Sequence, residues 1–102
     1  MFKAIILLTR RADLSAAEFR DWWVGPHAEL ARGLPGLREL RFNLVEDADA
    51  PYDGASELWF DSREAFDAAY ATDHGRRVVA DSLAHTERRE RLLVEEHVIA
   101  SG

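Results

Sequence analysis

A histidine set among aromatic residues is the chain's clearest candidate for proton chemistry. His27 follows Phe19, Trp22 and Trp23 at helical spacing and precedes Leu30, so these residues share one apolar stripe. An imidazole titrates near neutral pH and can both take and return a proton. Indole rings beside it would hold a flat or hydrophobic molecule. The same ring could instead be packed, its N–H donated to a carbonyl freed where Gly25-Pro26 interrupts the helix. The expectation carried forward is that the broken helix aims His27 into a hollow roofed by indoles.

Other polar residues frame that candidate. Trp22 and Trp23 are adjacent, so on a helix they point about 100° apart; one faces the core and the other lines a cleft or an interface. Glu57 lies between apolar neighbours, in phase with Trp59. A carboxylate on a covered face needs a partner or accepts a raised pKa, as a general base does. Arg41, in phase with Asn43, is the expected counter-charge, and both are expected contacts for an anion or a carbonyl oxygen. The bland alternative is a structural Glu–Arg pair within the sheet or across a dimer. His97 alternates with Leu93, Glu95 and Ile99 and is counted with the binding residues.

Asp81 and His85 stand one helical turn apart, a spacing that suits two metal ligands. No third ligand is in register, and no metal site is assigned. His74, beside Gly75, reads as a helix-terminus residue. The chain has no G-x-S-x-G elbow, no glycine-rich phosphate loop and no H-E-x-x-H, which leaves serine-elbow hydrolysis, nucleotide binding and zinc hydrolysis without their usual support.

The elements that must position these residues alternate. Phe2–Thr9 is apolar on both faces and reads as a central strand. Ser15-Ala16-Ala17-Glu18 has the form of a capping box and starts a helix that kinks or restarts at Pro26. Leu34-Pro35-Gly36 closes it. Leu37–Glu46 alternates as a one-sided strand with Leu40, Phe42 and Leu44 on one face. Asp47–Gly54 is loop-like, and Ser56–Phe60 is a third strand. Asp61 or Ser62 caps a second helix, His74-Gly75 punctuates it, and Arg76–Ala84 is helical again. Arg91–Ala100 is assigned as the fourth strand. The order is βαββαβ: an α+β, ferredoxin-like domain with a four-stranded antiparallel sheet and helices on one face. The other face, expected to carry Trp59 and Ile99, would be covered by a second copy of the chain.

Composition agrees with one folded domain over residues 1–102. Apolar residues make up 47% and charged residues 31% of the chain, too apolar for disorder. A net charge of −6 argues against nucleic-acid partners. The absence of cysteine removes disulfides, thiolate catalysis and iron–sulfur clusters. Phe2–Leu8 is too short to span a bilayer and, followed by Arg10 and Arg11, has the wrong flanks for a secretory signal. A soluble cytoplasmic protein with no membrane association is expected.

Four segments resemble the EthD family of the dimeric α/β-barrel superfamily. They are Leu14–Arg20 with Trp22-Trp23 and Pro26-His27-Ala28; Leu34–Arg38; Tyr52-Asp53-Gly54 through Ser62; and Val94–Val98. After Asp81 the chain departs from the family's aromatic-then-Asp pattern and reads Ser82-Leu83-Ala84-His85. The resemblance implies a homodimer closed through the open sheet face and places His27 on the family's helix histidine. Members include proteins linked to ether degradation, muconolactone isomerases and fungal polyketide decarboxylases or dehydratases. It therefore implies a cofactor-independent lyase or isomerase doing acid/base chemistry on a small aromatic, lactone or polyketide-like compound. A binding or accessory protein with the same cleft is the alternative, and haem ligation through His27 or His85 a third.

Overall fold

The computed structural model describes residues 1–102. Its elements are β1 (Phe2–Arg10), α1 (Ala16–Trp22), a π-helical turn (Trp23–His27), α2 (Ala28–Ala31), β2 (Glu39–Leu44), β3 (Gly54–Phe60), α3 (Arg63–Tyr70), α4 (Asp73–His85) and β4 (Thr86–Val94). The strands form one antiparallel sheet in the order β2-β3-β1-β4, which with the helices gives the ferredoxin-like α+β fold.

Strand periodicity divides the side chains between two faces. Ala4, Ile6 and Leu8 of β1 point to the helices, opposite Leu58, Ser56 and Gly54 of β3. With Phe19, Trp23, Phe60 and Phe66 they form the buried core. Gly54 is required by a close approach: a Cβ there would lie 2.6 Å from the Trp23 ring. On the other face stand Lys3, Ile5 and Leu7 with Glu57 and Trp59, and no element of the chain lies over the sheet on that side.

The capping box forms as the sequence predicts. Ser15 Oγ accepts the Glu18 N–H at 3.0 Å, and the Glu18 carboxylate accepts the Ser15 N–H at 2.9 Å. The helix kinks at the expected place: Gly25 leaves helical geometry, and the Ala28 N–H reaches back to the Trp23 carbonyl in a wide π turn. The second helical break comes earlier than His74-Gly75. Thr72 caps α4 by accepting the Gly75 N–H, so His74 lies in the helix's first turn and Gly75 packs inside it.

Two assignments are corrected. Strand β4 starts at Thr86, directly after α4 and five residues before the expected Arg91, and it ends at Val94. Its inward positions include Arg89 and Arg91, opposite Leu8 and Ile6, so the apolar alternation that marks a strand is missing over its first half. Ile99 therefore lies beyond the sheet and is almost fully exposed, whereas Trp59 does stand on the uncovered face.

Candidate functional site

The π turn determines where His27 points. An extra residue in the turn carries the ring inward, where it is buried against α4. Nδ1 of His27 lies 2.8 Å from Oδ2 of Asp81, and Nε2 lies 3.3 Å from the Ser82 hydroxyl. Asp81 also accepts the Trp22 indole N–H at 3.1 Å on the same oxygen. The Trp22 ring stacks on His85, with centroids 4.1 Å apart. His85 is tied in turn to the Asp81 carbonyl through Nδ1 at 2.8 Å.

Burial pushes the His27 pKa below the ordinary imidazole value, against the opposing pull of Asp81. A neutral His27 donating Nδ1–H to Asp81 leaves a lone pair on Nε2, the tautomer a general base needs. Asp81 thus holds the ring in place and would stabilise the imidazolium formed when Nε2 takes a proton.

The indole-roofed hollow expected beside His27 is not present. Trp23 is fully buried and lies flat on Phe42, with centroids 4.4 Å apart and planes 7° apart. The space left between helices and sheet measures about 10 Å³, room for about one water. Tyr70, Ser82 and Arg89 line it together with His27 and Trp23. Burial raises the Tyr70 pKa and keeps its hydroxyl protonated beside the Arg89 guanidinium. Two of these lining residues carry a buried donor without an acceptor: Trp23 at Nε1 and Arg89 at Nε. A buried donor left unpaired costs about 1–3 kcal/mol.

A larger groove, about 360 Å³, opens on the outer side, lined by Val24, Ala28, Arg32, Leu40 and Phe42 among others. Leu40 and Phe42 border both spaces, so these two side chains are the partition between them.

The remaining candidates fall elsewhere. Arg41, Asn43 and Glu57 stand on the uncovered face, with the sheet between them and His27, and cannot touch a molecule held at that ring. The counter-charge of Glu57 is Lys3 at 2.8 Å; Arg41, though directly opposite, pairs with Glu39. Asn43 donates to Glu57 at 3.0 Å. Lys3 also binds Glu96 at 2.7 Å and lies 4.6 Å from the Trp59 ring, so these residues form one polar and aromatic cluster. The Lys3 ammonium holds the Glu57 and Glu96 carboxyls below their usual range, the reverse of a raised general base. His97 is exposed beyond β4 and pairs only with Glu95. Haem does not fit at His27, whose two nitrogens are engaged and which lacks room for a porphyrin. No group of three or more His, Asp or Glu side chains is arranged to hold a metal ion, and no helix is long and apolar enough to cross a membrane.

Sequence reasoning did not bring Arg89, Tyr70 and Ser82 to the space beside His27 and separated Asp81 from it. Their common address depends on α4 packing beside the π turn and on the early start of β4. The one local signal was the pair Arg89 and Arg91 at alternate positions before an apolar run.

Comparison with known proteins agrees with this architecture. Residues 11–87 match the family model described as the EthD domain. No curated protein matches the chain in sequence. An EthD family protein from Bacillus halodurans superposes with a TM-score of 0.82 at 22% identity, covering 95% of this chain and 100% of that one. HapK from Hahella chejuensis gives 0.74 at 24% identity, covering 100% and 98%. A dimeric ferredoxin-like protein of unknown function from Thermobifida fusca gives 0.76 at 17% identity, covering 91% and 88%. At these identities the structural likeness speaks to fold.

Proposed function

The chain belongs to the EthD domain family, and from that premise we propose that it is a cofactor-independent enzyme that moves a proton on a small, largely apolar carbonyl compound. The observation that carries this reading is the pair His27–Asp81, 2.8 Å apart, with Nε2 turned to a lined internal space. His27 takes a proton from carbon through Nε2, and Asp81 stabilises the resulting imidazolium. Return of that proton to another carbon gives isomerisation, and its delivery to a β-hydroxyl that leaves as water gives dehydration; in decarboxylation the C–CO2 bond of a β-keto acid breaks first and a protonated His27 delivers its proton to the carbanion left behind. Ser82 keeps Nε2 occupied until substrate replaces it. Trp23 holds the apolar body, and Phe42, which lies on it, must swing aside to admit it.

The same reading includes a homodimer closed through the uncovered sheet face. Ile5, Leu7, Leu92 and Val94 place apolar surface there, and Leu92 is 48% exposed. The dimeric state of the Thermobifida fusca relative supports it.

Hydrogen–deuterium exchange tests the chemistry without a known substrate. A panel of cyclic and aromatic ketones is incubated with the protein in D2O, and loss of the α-proton signal is followed by NMR. The wild type should exchange at least one member faster than buffer, and His27→Gln should lose about 10²-fold or more of that rate. Binding without exchange would move the protein to the non-catalytic, ligand-carrying alternative. Neither binding nor exchange would overturn both.

A further inference from the structure

We propose that the internal space beside His27 is an anion subsite, in which Arg89 and Trp23 bind the oxygen of a small planar carboxylate or enolate whose apolar body lies in the outer groove. This rests on the site just described and names the class of ligand it takes. Arg89 faces inward from β4, opposite Leu8, and makes no ion pair anywhere in the chain. Tyr70 is a hydrogen-bond partner, whose hydroxyl can satisfy one donor but supplies no charge. The guanidinium Nε is fully enclosed and unpaired. Trp23, with no exposed surface, lines the same space and carries a second unpaired N–H.

A partly buried cation and two unpaired donors belong to residues around one small volume with no carboxylate in its lining, an arrangement that suits an anionic oxygen. One water supplies an acceptor but leaves the guanidinium charge uncompensated. A carboxylate or enolate oxygen supplies both, through charge-assisted hydrogen bonds. Such an oxygen lies beside His27, so a carbon next to it comes within reach of Nε2.

The route is also built in. The outer groove has the volume of a small-molecule site and apolar walls at Val24, Ala28 and Leu40. Phe42, on the edge strand β2, separates groove from subsite by lying on Trp23. Rotation of this one ring joins the two spaces, with the planar body of the ligand taking its place against the Trp23 indole.

Titration of the wild type with benzoate and with its neutral isostere benzamide, followed by the Trp23 indole N–H resonance, tests the proposal. Benzoate should bind at least tenfold tighter than benzamide and move that resonance downfield. Arg89→Met should abolish the preference, and Arg89→Lys should restore part of it if charge is what is read. Equal affinity for the two ligands, no binding of benzoate at millimolar concentration, or an unmoved indole resonance would overturn the subsite. The outcomes stay separable from those of the proton-transfer reading. Exchange of a neutral ketone by the wild type with no preference for benzoate removes the subsite alone. Tight benzoate binding with no exchange of any ketone removes the catalysis alone.

Discussion

His27 shows how one contact changes the meaning of a residue. Packed on a carbonyl it would be structural; held by a carboxylate on Nδ1, it presents a basic nitrogen on the other side. In the proposed mechanism Asp81 positions the ring, and its removal can be read directly. In Asp81→Asn the carboxylate that favours the imidazolium is gone while burial remains, so the His27 pKa should fall further. An NMR titration of the ring checks this, and an unchanged or raised pKa would refute the assignment. Proton exchange should fall in parallel by about 10²-fold or more. The depressed pKa also has a sign for stability. The unfolded chain takes up the proton first, so stability falls as pH drops from about 6.5 toward the lower folded value. His27→Gln should flatten that part of a plot of Tm against pH.

At the scale of elements, the π turn and the start of β4 build the site. Pro26 supplies no N–H, and the wide turn absorbs the gap while rotating His27 toward α4. Gly75 lets α4 pack against the end of α3: a Cβ there would meet the Ala69 carbonyl oxygen at 2.3 Å and Tyr70 Cα at 2.6 Å. Backbone cannot swing aside as a side chain can. Gly75→Ala should therefore cost about 1–3 kcal/mol in denaturant unfolding, despite the better helix propensity of alanine. A neutral or stabilising result would show that the α3–α4 junction gives way. The capping box, the kink at Pro26 and three of the strands were legible because each has a local signal. β4 was not: its inward arginines lay their stems along the core and break the apolar pattern.

Across the whole molecule the sheet separates two chemistries. One face carries the imidazole and the core; the other carries Lys3, Glu57, Glu96 and Trp59 with a band of aliphatic side chains. The proposed dimer covers the second face. Leu92→Asp should leave the fold intact, because the side chain is half exposed in the single chain, and should convert the species in sedimentation from dimer to monomer. A wild type that sediments as a monomer would dismiss this pairing. Lys3 lowers the carboxyl pKa values of Glu57 and Glu96, so its contribution is present above the usual carboxylate value and lost as pH falls through the folded one. Lys3→Met should lower Tm at pH 7 more than at pH 3.

The order of elements, the division of each central strand into two faces and the cap at Ser15 were all determined by the sequence itself. They rest on periodicity and on contacts only a few residues long. Which groups meet His27 was decided by the tertiary structure alone. Asp81 and Ser82 reach it from 54 and 55 residues away, and Arg89 arrives on a strand that its own charge conceals. Arg41, Asn43 and Glu57, which seemed its natural companions in sequence, were put behind the sheet by strand pairing. Spacing along a chain sets the direction of a side chain on its own element, whereas the neighbours it finds depend on how elements pack.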